Sequence, residues 1–135
     1  MKKYFYIFII AFVLNLVWEN IHSIFYLNYK GGEITQFILA RASLADTVFI
    51  LIITFFAIRF FQKSAKRKMF IVIMGLFLSI FIERWAFVTG RWVYADSMPI
   101  IPLLNTGLTP TIQLAVLGFI SFLIVEKTVK SPFKR

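Results

Sequence analysis

Four long apolar stretches, separated by short polar or charged segments, constrain this chain more than any other feature of its sequence. They cover residues 4–25, 43–61, 69–87 and 110–125. A helix needs about 20 mostly apolar residues to cross a bilayer, and each stretch meets or approaches that length. The sequence therefore predicts an all-α fold, an integral membrane four-helix bundle, in which residues 1–135 form a single transmembrane domain.

The composition agrees with a membrane location and excludes several classes of chemistry. Hydrophobic residues make up 60% of the chain, whereas soluble domains average about 45–50%. The sequence has no cysteine, so it cannot provide a thiol nucleophile, a cysteine zinc site or a cysteine-bound iron–sulfur cluster. We predict no cofactor.

The basic residues are distributed unevenly between the two ends of the predicted helices. Eleven Lys and Arg residues, against one Glu, lie near the N-terminus, around residues 59–68 and after residue 125, and the other side has four basic and five acidic residues. Because basic loops stay in the cytoplasm, we predict an inner (plasma) membrane protein with both termini cytoplasmic. Clusters this close to apolar helices indicate topology determinants beside anionic lipids, and no nucleic-acid partner.

Each predicted helix has one polar residue at a similar depth. These residues are Glu19, Asp46, Glu83 and Gln113. At 1.5 Å per residue, we expect them roughly 18–22 Å from the cytoplasmic helix ends. Charges deep in apolar helices are costly and usually face a bundle interior or a water-filled cavity. We therefore predict a polar cluster that opens outward, with the three carboxylates as candidate catalytic residues.

Helical spacing adds further polar residues to these faces. Asn15, Glu19 and His22 form one stripe on the first helix. The Glu19-x-x-His22 spacing occurs in helix-bundle metal sites, but the di-metal pattern needs it twice and Ala86 occupies the second position, so we predict no metal site. The candidate ligand-binding residues are Asn15, His22, Arg84, Arg91, Trp92, Tyr94 and Gln113.

The carboxylates also have structural interpretations. Ser43 and Asp46 fit a capping box at the start of the second helix. Glu19 and Glu83, in contrast, lie mid-helix, where buried ion pairs would fix the helix packing. The possible partners for such pairs are Arg41, Arg84 and Arg91.

The two outer loops are expected to cover the mouth of the bundle. The second loop is apolar but contains Pro99 and Pro102, so it cannot be a regular helix and should lie against the bundle. Thr109 then fits the N-cap of the fourth helix, with Pro110 at its first position. We expect residues 37–41 of the first loop to form a short interfacial segment that completes this lid.

The two halves of the chain have a similar order of features. Each runs from a helix with a carboxylate, through an aromatic outer loop, to a helix with a polar residue near its start. This order suggests either two parallel helical-hairpin repeats, which often place a site at their interface, or two halves of separate origin.

Several short motifs indicate a family resemblance. They are Trp18-Glu19, Arg41-Ala42-Ser43-Leu44-Ala45-Asp46, Gly90-Arg91-Trp92-x-Tyr94, Met98-Pro99-x-x-Pro102 and Gly107-Leu108-x-Pro110-x-x-Gln113. With these the chain resembles a family of small four-helix bacterial membrane proteins, a likeness that implies the fold but no activity. More distantly it resembles the membrane-embedded lycopene cyclases, in which carboxylates on apolar helices act as acids on a polyene. Those enzymes have a Glu-Glu pair after the proline that starts the last helix, whereas this chain has Thr111-Ile112-Gln113 at that place.

These features predict a carboxylate-lined pocket in the outer leaflet that binds a lipid-like or isoprenoid molecule. If the protein is an enzyme, the carboxylates modify that molecule by acid–base chemistry. The expected partner is thus a membrane lipid or a hydrophobic small molecule. The alternative is a small transporter or an accessory subunit, whose carboxylates carry protons or fix helix packing. That alternative requires a homodimer or a membrane partner protein, because the polar layer lies on one side only.

Overall fold

Four helices make up most of residues 2–129, the part of the chain that the computed structural model describes. They are α1 (Lys2–His22), α2 (Gln36–Phe60), α3 (Ser64–Val88) and α4 (Leu108–Thr128). All four are long and apolar enough to cross a membrane. The prediction of an all-α, four-helix, multi-pass membrane protein is confirmed. The basic residues at positions 130, 134 and 135 lie outside the described residues.

Helix α2 begins seven residues before the predicted start. Thr35 is its N-cap, and the Thr35 hydroxyl accepts a hydrogen bond from the Ile38 N–H at 3.3 Å. Ser43 lies inside the helix and donates to the Leu39 carbonyl at 2.8 Å. The predicted capping box of Ser43 and Asp46 is therefore wrong, and so is the separate interfacial segment. The helix therefore includes Gln36 and Arg41, polar residues that lie before the predicted start.

Helix α4 begins at Leu108, with Gly107 as its N-cap residue. The Leu108 N–H donates to the Pro99 carbonyl at 2.7 Å, so the loop itself supplies a partner for the helix start. The predicted cap at Thr109 is wrong for this reason. The Thr109 hydroxyl instead lies 3.3 Å from His22 Nδ1.

Side-chain size and polarity decide which face of each helix points inward, since the helices are apolar all round. On α3, one residue per turn is buried: Ile71, Gly75, Ser79 and Glu83. Phe77, on the opposite face, is 66% exposed. In a membrane the hydrophobic effect does not select which apolar face of a helix points inward, because the lipid chains are equally apolar. Small residues do select it, since they let helices approach closely. On α3 the polar and small residues thus lie inside, and aromatic residues such as Phe77 and Phe81 face outward.

Two small antiparallel sheets cover one end of the bundle, which we call the sheet end. Strand β1 (Tyr26–Tyr29) follows a single 3₁₀ turn after α1 and pairs with β2 (Trp92–Tyr94). Strands β3 (Ile100–Ile101) and β4 (Thr106–Gly107) pair within the second loop. The first sheet therefore joins the α1–α2 connection to the α3–α4 connection.

At the opposite end, the bundle is filled mainly by apolar side chains, although Thr54, Ser121 and Arg67 are also buried there. The apolar side chains come from all four helices and make one continuous cluster. The cluster includes Ile7, Ala11, Ile50, Ile53, Ala57, Ile71, Leu117, Phe122 and Val125. This packing separates the polar residues of the sheet end from the opposite end.

We expect Gly75→Ala to lower the melting temperature of the protein in detergent more than Gly118→Ala does. A Cβ atom at Gly75 would lie 2.7 Å from the Ala115 Cα and backbone N, and backbone cannot move aside. At Gly118 the nearest atom, 3.1 Å away, is a side-chain methyl of Ile71. Overpacking costs about 1–3 kcal/mol. Equal melting temperatures would contradict the close approach of α3 and α4.

Candidate ligand-binding site

A cavity of about 510 Å³ lies at the sheet end, between all four helices. Glu19, Asp46 and Glu83 line it, so the three carboxylates converge on one space. Apolar side chains form much of the remaining wall. They include Ile38, Leu39, Phe49, Ile82 and Leu114. A cavity of this size, apolar with a few polar groups, is typical of small-molecule sites.

The side-chain amide of Gln113 lies at the centre of the polar cluster. Its Nε2 atom is 2.8 Å from Glu19 Oε1, 2.8 Å from Asp46 Oδ2 and 3.0 Å from Asn15 Oδ1. Because all three neighbours are oxygens, the Gln113 amide must be oriented with its nitrogen, and not its oxygen, toward them. Gln113 thus links α4 to both α1 and α2.

Two further contacts fix the α1 side of the cluster. The Asn15 Nδ2 donates to the Ala11 carbonyl at 2.8 Å, which leaves its Oδ1 atom as the acceptor. The His22 Nε2 lies 3.2 Å from Glu19 Oε2, and the other ring nitrogen faces Thr109. Glu19 is therefore held by Gln113 on one oxygen and by His22 on the other.

Glu83 is held by the first sheet rather than by another helix. The Tyr94 hydroxyl donates a hydrogen bond to Glu83 Oε2 and accepts one from the Gly107 N–H at 3.1 Å. Burial, followed by the nearby charge of Glu83, raises the pKa of Tyr94 above its usual value. The phenol therefore keeps its proton and acts as a donor. Tyr94 thus connects α3 to the start of α4.

Aromatic rings from the first sheet close the cavity beside His22. The Tyr26 ring packs edge-on against His22, with ring centroids 5.3 Å apart, and against Trp92 at 6.0 Å. Burial, and then the charge of Glu83, also raises the pKa of Tyr26. The sequence did not single out Tyr26, although its place in an aromatic outer loop was visible.

Most residues predicted for the site line the cavity. Those that line it are Glu19, His22, Asp46, Glu83, Arg91, Trp92 and Gln113. Asn15 and Tyr94 do not line it but bond to residues that do. Arg84 is exposed and does not line the cavity, because the face of α3 that turns inward carries Glu83. We therefore leave Arg84 out of the site.

The predicted arginine ion pairs are absent from residues 2–129. Glu19 pairs with His22, and the other described ion pair joins Lys68 to Glu126 at the opposite end. No three His, Asp or Glu side chains among the described residues are placed to hold one metal ion. The carboxylates thus have neutral hydrogen-bond donors and one histidine as partners.

Comparison with family models, with curated proteins and with solved structures finds no match for this chain.

We expect Gln113→Leu to destabilise the protein strongly and Gln36→Leu to have little effect. Leucine at position 113 leaves three acceptors without their donor inside the bundle, and an unsatisfied buried group costs about 1–3 kcal/mol. Gln36 makes one amide hydrogen bond, to Asn20 Oδ1 at 2.9 Å, at an exposed position. Thermal unfolding of both variants in the same detergent measures the difference. Similar melting temperatures would show that Gln113 does not hold the helices together.

Proposed function

We propose that this protein binds a lipid-like or isoprenoid molecule in the cavity at the sheet end, and that the carboxyl groups there exchange protons with it. The observation that carries the proposal is the convergence of Glu19, Asp46 and Glu83 on one apolar-walled cavity. An apolar wall suits a hydrocarbon chain, and carboxyl groups within reach of that chain suit general acid–base chemistry. The motif resemblance to membrane-embedded lycopene cyclases points in the same direction.

The hydrogen bonds around Gln113 support a proton-handling role. An amide nitrogen has two hydrogens, but three oxygens lie within 3.0 Å of Gln113 Nε2. The amide cannot supply a hydrogen to all three oxygens, so the cluster can hold one additional proton, on Glu19 or on Asp46. Glu83, bonded to a neutral phenol, is the second carboxyl group, which accepts a proton.

Two such carboxyl groups are sufficient to move a double bond. One carboxyl group adds its proton to a carbon of the double bond, which leaves a cation on the neighbouring carbon. A carboxylate then removes a proton from the next carbon, and the double bond reforms one position along the chain. The shift consumes no oxidant, reductant or other reactant.

The proton-transfer step predicts deuterium uptake. With the protein in nanodiscs in D₂O, we expect geranylgeraniol to gain deuterium, measured by mass spectrometry of the recovered alcohol. Glu19→Gln and Glu83→Gln should each slow uptake by about 100-fold or more, since general acid–base catalysis contributes about 10²–10⁴-fold.

Glu33→Gln is the matched control, because Glu33 is an exposed carboxylate in the α1–α2 connection, at the same end of the bundle, and does not line the cavity. This variant should exchange at the wild-type rate, and all variants should elute as the wild type does. Exchange at the wild-type rate in Glu19→Gln and Glu83→Gln would refute the role of the carboxyl groups. Binding of geranylgeraniol without exchange would leave a binding protein with no proton transfer.

The transporter alternative has less support in the contacts. A proton path through one chain would have to pass the apolar cluster around Ile50, Ile71 and Phe122, which are almost fully buried. The polar cluster and the cavity both lie on the sheet side of that packing. The contacts thus favour a ligand site open on one side of the membrane.

For the orientation, we propose that the sheet end faces outward and that the termini lie in the cytoplasm, in the inner (plasma) membrane. The distribution of basic residues supports this, since the opposite end includes Lys63, Lys66 and Lys68. The cavity would then lie in the outer leaflet.

Cysteine labelling tests this topology directly, because the chain has no cysteine of its own. In intact cells we expect a membrane-impermeant maleimide to label Gly32→Cys, at the sheet end, and not Gln62→Cys, at the opposite end. Both positions are exposed. After lysis both variants should react. The reverse pattern in intact cells would invert the proposed orientation.

A further inference from the structure

Three cationic side chains surround one tyrosine at the mouth of the cavity. The Arg41 Nη2 donates to the Tyr29 hydroxyl at 2.9 Å, and the Lys30 Nζ lies 5.8 Å from the centre of the Tyr29 ring. Burial acts to raise the pKa of Tyr29, but Arg91, Arg41 and Lys30 outweigh it and lower that pKa from its usual value. All four residues line the cavity.

The backbone holds two of these cations next to each other. Lys30 and Gly31 both have positive φ, at 49° and 77°, and form the two-residue turn that follows β1. Within this turn the Lys30 N–H donates to the Arg91 carbonyl at 2.7 Å. The pairing of the two loops therefore brings Lys30 beside Arg91, although they are far apart in the sequence.

These cations have no acidic partner among residues 2–129. The described ion pairs involve neither Lys30 nor Arg41 nor Arg91. The Arg91 guanidinium lies 4.3 Å from the centre of the Trp85 ring, and its Nε atom is buried without a hydrogen-bond partner. Three positive charges gathered at a cavity, with the Nε donor of Arg91 unused, favour an anionic ligand group.

Residues of two helices that line the cavity are also exposed at the surface of the protein. They are Ala45 of α2 and Trp85 of α3. In a membrane, exposed residues of spanning helices face the lipid chains. Asp46, next to Ala45, is only partly buried and also lines the cavity.

We infer that the site takes an amphiphile with a phosphate-class head group, held by Lys30, Arg41 and Arg91 around Tyr29, whose chain enters between α2 and α3. Arg41 precedes Asp46 by five residues, a rise of roughly 7.5 Å along the helix. The first carbons of a chain attached to the head group therefore run past the carboxyl groups. This inference rests on the proposed ligand site and specifies the class of ligand that it takes.

Binding of three probes to the purified protein, followed by native mass spectrometry and by competition, tests the inference. The probes are farnesyl phosphate, farnesol and inorganic phosphate. We expect the wild type to bind farnesyl phosphate at least about tenfold more tightly than farnesol, since hydrogen bonds to charged groups are the strong ones. Inorganic phosphate should bind much more weakly than either.

The double variant Arg41→Gln/Arg91→Gln should bring the two isoprenoids to similar affinity, because it removes cations that distinguish a phosphate from a hydroxyl group. Arg84→Gln is the control for the loss of an arginine, because it makes the same type of substitution at the same end of the bundle, at an exposed position outside the cavity. This control should keep the preference for farnesyl phosphate.

The outcomes separate this inference from the proposed function. Equal affinity of the wild type for farnesol and farnesyl phosphate, or an unchanged preference in the double variant, overturns the head-group site but leaves the isoprenoid site intact. Inorganic phosphate binding as tightly as farnesyl phosphate would indicate a site for a free anion, which also overturns it. Binding of neither isoprenoid refutes the proposed function as well.

Discussion

A single side-chain amide, that of Gln113, joins three of the four helices at the sheet end. The oxygens of Asn15, Glu19 and Asp46 all lie within 3.0 Å of its nitrogen, and unpaired polar groups at buried positions are costly. The same requirement places α1, α2 and α4 at a fixed rotation, because each helix must present one polar residue to the same point. The remaining helix, α3, satisfies its carboxylate differently, through Tyr94 of the first sheet.

This difference explains why a cavity exists beside α3. At Gly75 the backbones of α3 and α4 approach closely, and the buried side chains toward the opposite end are mainly apolar. Farther toward the sheet end, Glu83 reaches a loop tyrosine, and no side chain of α2 or α4 bonds to it. In the same region, Ala45 of α2 and Trp85 of α3 both line the cavity and are exposed. Close packing at one end and a sheet-supported carboxylate at the other create the site together.

The sequence predicted the helices and the meeting of Glu19, Asp46 and Gln113, because length, hydropathy and depth along a helix are local properties. It could not predict the pairing of β1 with β2, which depends on two loops more than 60 residues apart in the chain. Nor did it locate the start of α2, because Arg41 and Ser43 interrupt the apolar sequence inside the helix and gave a false boundary. Arg84 shows a similar limit: it is adjacent in sequence to a buried carboxylate, yet it is exposed.

The separation of charge within the site argues for an amphiphile over a simple apolar ligand. Carboxyl groups lie deep, bonded to an amide, a histidine and a phenol, while the unpaired cations lie at the mouth. Had the cations evolved to neutralise the carboxylates, they would pair with them at short distance, as Lys68 and Glu126 do at 2.6 Å. Instead Arg41 bonds a tyrosine and Arg91 covers a tryptophan ring. A ligand that supplies the missing negative charge at the mouth, and a chain for the apolar wall, would satisfy both parts of the cavity at once.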